Sequence, residues 1–536
     1  MCKLSAFNVI LRKLIKRMRE KITGTLLLIF FIALSVTVKS QKIYYSEPDR
    51  DDLNQLKFEV LGKYKSNYLV YKNIRNRHLI SVYDAEMKLK DKVNLDFIPD
   101  KAINVELFSN PEHAILIYQY QKKGVVYCMG VTIDGNGKNI GEPLQLDTTQ
   151  IGFFGDNKIY STIMSDDKQK LMIFKMKNKN QDDFQIQTLL VSHNLIPLRK
   201  TGFNYHLENT KESIADFYLD NEGNFLFSHV TRPAQKEYIQ KAKLVVLQVN
   251  ADTLLKYDLK LDKVYLEELR IKVDNLHSRY VLTSLYSKTK RGNIEGLYSA
   301  FIDKDLVGNP IEKSIEFTDD FRTLAKGDNS TKLAFNDYYL KHIIVKKDGG
   351  VLITGESTYG SSRGSSINRW DNPWLWGNPW GPGSYYGWSP WNNWGYGSFG
   401  GYGWGSPWGP SWNSNQQTRY YADNIMVLAL DKDGNMQWNN VIAKSQYDDN
   451  TDNLLSYQIM NSGTELLFLY NEWNRRNPML NAQSLDPKGT VNKQPPLKSL
   501  DKGFEFMIRF GKQVSAREMI VPCIYRNAFS FARMEF

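Results

Sequence analysis

What the chain has little of narrows it first. Of 536 residues only three are cysteine, and Cys2 stands before the first apolar run, so a small disulfide-stapled scaffold is excluded. Cys128 and Cys523 both fall inside apolar strand-like runs, which leaves either two buried thiols or one bridge. The seven histidines, His78, His113, His193, His206, His229, His277 and His342, are scattered with no ligand spacing, and no metal is assigned. There is no Gly-x-Ser-x-Gly elbow, no Pro- or Ser-rich linker between apolar segments, and no stretch with helical periodicity. Gly395-Tyr-Gly-Ser-Phe-Gly400 imitates a phosphate loop, yet it sits in low-complexity sequence with no strand-borne lysine behind it. No catalytic residue and no cofactor is therefore assigned.

The basic balance is also less than it looks. Residues 1–40 carry eight Lys or Arg and one Glu, so removing them takes the formal charge from +11 to +11 − 7 = +4. The remaining cations are dispersed, and no nucleic-acid partner is expected. Arg12, Lys13, Lys16, Arg17, Arg19 and Lys21 precede an apolar run, Thr25 to Leu34, that ends in Val38-Lys39-Ser40. That is the layout of a secretory signal, with cleavage expected after Ser40 and a mature chain free of membrane spans. A start at Met18 would give a more ordinary signal, and an uncleaved anchor is the alternative, since Ile22 to Val38 reaches the lower limit of about 17 residues for a span. Either way the body is exported.

From Lys42 the chain is written in short apolar runs with period-two alternation, rich in Val, Ile, Tyr and Phe. Phe58–Tyr64, Tyr68–Tyr71, Leu79–Tyr83 and Val93–Phe97 form a first set of four, and comparable sets recur through Phe317 at a period of roughly 45 to 55 residues. Asp134-Gly135, Asp220 to Gly223, Asp348-Gly349, Asp431 to Gly434 and Asp486 to Gly489 predict tight hairpins, with Asp capping the turn and Gly supplying positive φ. Asp431-Lys432-Asp433-Gly434 lacks the third ligand position and the terminal Glu of a calcium loop. The acidic pairs Asp319, Asp320 and Asp448, Asp449 read as solvated turns.

This pattern resembles the bacterial secreted β-propellers of the WD40-like and quinoprotein-like groups. Leu430-Asp-Lys-Asp-Gly-Asn-Met-Gln-Trp438 looks like the turn-plus-tryptophan docking motif of quinoprotein propellers. Only one module shows it, so the quinone cofactor of that group is not implied. The expected fold is all-β: a single β-propeller over residues 41–536, with about seven four-stranded blades and six or eight as the alternatives, closed by pairing of Ile43–Tyr45 with the last strands. A string of β-sandwiches is the alternative, and the absence of linkers argues against it.

The sixth module is about twice the length of the others because of a Trp/Gly/Pro-rich insertion, residues 359–418, between its second and third strands. Ten of the 12 tryptophans are there: Trp370, Trp374, Trp376, Trp380, Trp388, Trp391, Trp394, Trp404, Trp408 and Trp412. No charge occurs between Asp371 and Arg419. Gly and Pro recur too often for helix or strand, and aromatic area of this size is costly to leave in water. Those tryptophans are the expected binding residues, contacting an envelope protein or a glycan. The expected function is an exported, non-enzymatic binding or scaffolding protein of the bacterial envelope. Its expected location is the periplasm, with the cell surface or outer membrane as the alternative. A propeller enzyme acting on carbohydrate, with a loop-built site on one face, is the competing class.

Overall fold

A strand with apolar side chains on both faces must be covered on both faces, and the chain meets that demand by folding each set of four runs into one sheet and packing the sheets side by side. The computed structural model describes residues 42–49, 56–151, 158–178, 182–233, 238–326, 334–362, 365–366, 418–449, 452–474, 477–493, 503–526 and 528–536. Strand β1 (Lys42–Tyr45) precedes blade one, which is β2 (Leu56–Tyr64), β3 (Asn67–Ile74), β4 (Arg77–Tyr83) and β5 (Leu89–Asn94). Blade two is β6 (Ala102–Ser109), β7 (Ala114–Lys122), β8 (Val125–Ile133) and β9 (Asn139–Gln150). Blade three is β10 (Tyr160–Met164), β11 (Lys170–Asn178), β12 (Asp183–Ser192) and β13 (Pro197–His206). Blade four is β14 (Glu212–Leu219), β15 (Phe225–Thr231), β16 (Lys241–Leu247) and β17 (Leu254–Asp258).

In blade five the innermost strand is split into β18 (Tyr265–Leu266) and β19 (Arg270–Asp274), followed by β20 (Arg279–Ser287), β21 (Gly296–Asp303) and β22 (Ile311–Glu316). Helix α1 (Asp319–Lys326) leads to blade six: β23 (Tyr338–Val345), β24 (Val351–Ser362), the short β25 (Ser365–Ser366), β26 (Thr418–Leu430), β27 (Met436–Ile442) and β28 (Tyr447–Asp449). Blade seven is β29 (Tyr457–Asn461), β30 (Leu466–Asn474), β31 (Asn477–Leu485) and β32 (Val491–Lys493). Blade eight is β33 (Phe504–Phe506), β34 (Lys512–Ser515), β35 (Glu518–Tyr525) and β36 (Ala528–Glu535), with β1 as its outermost strand.

The chain is therefore an all-β propeller of eight blades. The expected count of about seven fell one short because β31 and β32 do not read as strands. NPMLNAQSL has a proline, two asparagines and no β-branched residue, and its fit to a strand comes from the neighbouring β30, to which it pairs from Leu466↔Leu485 to Asn474↔Asn477. The expectation of no helix is also corrected by α1, eight residues and just over two turns long. Its Thr318 accepts at Oγ1 from the Phe321 N–H at 3.3 Å, and Asp319 and Asp320 stand exposed in the first turn, where carboxylates complement the helix dipole.

Burial is deepest in the second strands and least in the fourth. Every residue of the second strand β20 is buried, whereas the fourth strand β13 alternates exposed and half-buried positions. Eight apolar clusters fill the interfaces, one between each pair of neighbouring blades; Phe58, Val70 and Phe531, for example, join blades one and eight. The predicted hairpin turns hold as expected: Oδ1 of Asp134, Asp431 and Asp486 each accepts two backbone N–H groups, and Asp220 accepts three. Their glycines also serve the interface. Gly489, at φ 87, lies so close to the Trp438 ring of blade six that an added Cβ would sit 2.6 Å from it, and Asn440 Nδ2 donates to the Gly489 carbonyl at 2.8 Å.

Closure joins the termini, as expected. β1 pairs with β36 from Lys42↔Glu535 to Tyr45↔Ala532, and the clasp continues as Phe531 N donates to Ser46 Oγ at 2.9 Å. On the inner side, Glu518 of blade eight accepts from Lys63 and Tyr68 of blade one, from Arg533 and from Ser515. Burial alone would raise the Glu518 carboxyl, but these hydrogen bonds outweigh it and hold it down to about 2. Cys128 and Cys523 are both free and buried, in blades two and eight, and burial pushes both thiols up.

Gly489→Ala is expected to destabilise by about 2–4 kcal/mol, from positive φ plus the clash with Trp438. Gly141→Ala, at φ 76 with nothing within 4 Å, should cost only about 1 kcal/mol; equal shifts in the urea midpoint would refute the interface role. For Glu518, a carboxyl held below its ordinary 4.5 contributes stability above that pH and loses it as pH falls toward about 2. Glu518→Gln should thus remove about 3 kcal/mol at pH 7 and flatten the loss between pH 4.5 and 2, read by denaturant melts across pH.

Candidate functional site on the loop-bearing face

The topology separates two faces. Turns between first and second and between third and fourth strands lie on one face; the remaining loops and the blade-to-blade connections lie on the other. The second-to-third connection of blade six, residues 363–417, belongs to the latter face. The expected binding residues Trp370, Trp374, Trp376, Trp380, Trp388, Trp391, Trp394, Trp404, Trp408 and Trp412 lie outside the described residues, as does the expected signal segment.

The strands leading to them are described. β24 and β26 stay paired from Thr358↔Ala422 to Ser362↔Thr418, beyond a register shift between Glu356 and Thr358, and β28 adds a third strand through Arg419↔Asp449, Tyr420↔Asp448 and Tyr421↔Tyr447. Tyr359 stacks on Tyr421 with ring centroids 4.6 Å apart and planes 10° from parallel. Tyr447, 46% exposed, continues this aromatic surface, with the Arg419 guanidinium 4.8 Å over its ring. Arg419 in turn donates to both oxygens of Asp449 at 2.7 and 3.1 Å. Tyr359 anchors the ribbon by donating to Asp423 Oδ2 at 2.9 Å. Beneath it, Asn424 and Tyr338 both donate to the Ala325 carbonyl at the end of α1. The acidic pairs expected as solvated turns are instead in regular elements: Asp319 and Asp320 open α1, and Asp448 and Asp449 lie in β28, where Asp449 is bonded to Arg419.

Below the ribbon is a buried ionic cluster that the sequence reading missed. Glu356 and Lys444 are both fully buried and meet at 2.8 Å. Lys444 Nζ also donates to the Ala422 carbonyl at 2.6 Å and to Gln446 Oε1 at 2.8 Å, so the buried ammonium has two hydrogen-bond acceptors beside the carboxylate it is paired with. Glu356 accepts from Ser456 at 2.6 Å, and Lys341 approaches it at 3.7 Å. Burial lowers the Lys444 and Lys341 ammoniums against the attraction of Glu356. The chain of polar contacts continues outward. Gln446 donates to the Asn471 carbonyl in blade seven, and Asn471 donates to the Phe506 carbonyl in blade eight. A single charge inside an apolar run, as in YYLKHIIV and VLITGESTYG, was the available signal for Lys341 and Glu356.

Two of the histidines, His113 and His193, stack with ring centroids 5.6 Å apart. His229 lies between Tyr205 and Glu212, at 2.8 and 3.2 Å, in the interface of blades three and four. His113 Nε2 donates to the His193 carbonyl at 3.0 Å. No group of three metal-capable side chains occurs among the described residues, and no helix among them is long and apolar enough to cross a membrane.

These features define a β-propeller whose loop-bearing face carries a reinforced ribbon on blade six. No protein-family model and no curated protein matches the chain. Among solved structures, it is similar to prolyl oligopeptidase B from Galerina marginata at 9% identity and a TM-score of 0.39, covering 89% of this chain and 56% of that one. It is similar to oligopeptidase B from Leishmania major at 7% identity and 0.35, covering 88% and 54%. An ulvan lyase of a polysaccharide lyase family matches at 9% and 0.34, covering 80% and 90%. The chain spans about half the length of the two peptidases.

Glu356→Gln is expected to cost about 3–5 kcal/mol, because it leaves the Lys444 ammonium buried without its carboxylate. The double variant Glu356→Leu/Lys444→Met should recover most of that loss in urea melts; equal destabilisation of single and double variants would show that the pair is not the cause.

Proposed function

We propose that the protein is an exported binding or scaffolding protein of the bacterial envelope that contacts a protein or glycan partner through the tryptophan-rich segment of blade six. The observation that supports this reading is the ribbon: twelve- and thirteen-residue strands, a third strand, a stacked tyrosine pair and a bidentate Arg419–Asp449 bond are spent on holding one loop's base. A loop with no contact to make needs no such base. The segment between Asp371 and Arg419 is uncharged and interleaves tryptophan with asparagine and serine, which suits a neutral partner presenting hydroxyls or apolar surface. Export rests on the basic and apolar segments of residues 1–40, with cleavage after Ser40 and residence in the periplasm. Kinship with the WD40-like and quinoprotein-like secreted propellers is supported by Trp438, which seats on the Gly489 turn of the next blade.

The test replaces Ile367 to Gln417 by a short Gly-Ser linker, keeping the ribbon. The variant is expected to keep the thermal midpoint of the mature chain to within a few degrees and to lose retention on peptidoglycan or polysaccharide resins, or a partner captured from envelope extract. Retention equal to that of the intact chain would place the contact elsewhere and sink the proposal.

A further inference from the structure

Turn residues are ordinarily polar, and on one face of this disc several are not. Nine large apolar side chains are exposed among the described residues. Six of them stand in or directly beside turns that join first to second or third to fourth strands: Leu89 of blade one, Ile140 of blade two, Ile196 and Leu198 of blade three, and Leu276 and Val307 of blade five. These turns all lie on the face opposite the ribbon of blade six. Val307 is 83% exposed and Leu276 69%. The two turns of blade five are tied together, because Lys304 Nζ donates to Asn275 Oδ1 at 3.1 Å and Lys304 N donates to the Ser278 carbonyl at 3.0 Å. Val307 N donates to Asp305 Oδ1 at 3.0 Å, and Ile196 N to Ser192 Oγ at 3.2 Å. The apolar tips are thus held in place by their own turns, and burying them costs little further ordering.

The same face receives the N-terminal segment. Lys42 pairs with Glu535 and Glu535 with Glu518, which closes the first-to-second turn of blade eight at Ser515↔Glu518. Seven residues, 35–41, separate Lys42 from the apolar run Thr25 to Leu34, a reach of at most about 25 Å. While that run lies in a membrane during export, the face with the apolar tips is the one tethered to the bilayer. The ribbon of blade six is then on the far side of the disc. Charges on these turns are paired: Lys88 with Glu86 at 2.6 Å, Lys432 with Asp433 at 3.0 Å and Lys346 with Asp348 at 3.3 Å. Such pairing leaves no field of one sign to draw an anionic surface. It suits zwitterionic headgroups, which also present both signs side by side.

We propose that this turn face is a peripheral membrane-docking surface, which seats its apolar tips among zwitterionic phospholipid headgroups and turns the ribbon-bearing face away from the bilayer. Separate tips around one side of a disc match a deformable lipid surface better than the continuous patch that a folded partner needs. The inference rests on the export reading only for which bilayer is met. It shares no residue with the tryptophan-rich segment, so vesicle binding and partner retention are read in separate assays and fail separately.

The test sediments the mature chain, and the chain with Ile367 to Gln417 replaced by a linker, with vesicles of phosphatidylcholine and phosphatidylethanolamine, with and without phosphatidylglycerol. Both chains should bind the neutral vesicles, which separates this contact from any made by the insertion. Leu276→Ser/Val307→Ser should weaken that binding by about tenfold. Leu324→Ser, on α1 of the other face, should leave it unchanged. A second readout holds if the double variant fails to fold: Val307→Trp in the linker-replaced chain should add emission that shifts to the blue on neutral vesicles and is quenched by brominated lipid. No sedimentation with neutral vesicles, binding that requires phosphatidylglycerol, binding lost with the insertion, full binding by the double variant, or no quenching of Val307→Trp overturns the proposal.

Discussion

Packing between neighbouring blades is the constraint on which the rest depends. Each sheet is apolar on both faces, so none of the eight could stand alone in water, and each finds cover only between two others. Eight interfaces and eight apolar clusters are the direct expression of that requirement. A linear stack would leave two faces bare; the ring leaves none. That is why the chain brings Lys42–Tyr45 back to Glu535–Ala532, and why Ser46, Glu518, Lys63 and Arg533 crowd the seam with hydrogen bonds.

A ring of wedges converges on its axis, where the strands are closest and side chains have least room. Polar groups forced into that region must satisfy one another, within a blade as Lys444 does with Glu356, and across blade boundaries as Gln446 does with Asn471, Arg509 with Asp452 and Lys158 with Glu106 at 2.5 Å. Rigidity follows from this arrangement. A closed ring with cross-blade ion pairs is a fixed platform, and the ribbon of blade six, braced by α1 beneath and β28 beside it, is suited to hold a contact segment at a set place on one face.

Much of this was legible in the residues. Period-two alternation marked most of the strands, Asp-Gly spacing marked the turns, and Ile43–Tyr45 could be assigned to the seam because an open edge is a hazard. The limits of that reading have specific causes. NPMLNAQSL carries almost no strand propensity, so β31 forms because β30 offers it a hydrogen-bonding partner, and the blade count changed with it. The eight residues of α1 are too few for a periodic signal, and the helix is held by Arg322 on the carbonyls of Ile294 and Glu295 and by packing of Phe321 on Phe317 and Phe335.

The sequence by itself determined the fold class, the turn chemistry, the closing strand and the place of the tryptophan-rich insertion, because these rest on spacing between near neighbours. Tertiary structure alone decided the eighth blade and the aromatic ribbon at the base of the insertion. Tyr359, Tyr421 and Tyr447 are drawn from three strands. Nothing local distinguishes any of them from a solvated or core residue. Their meaning arises only when the ring closes and sets distant positions side by side.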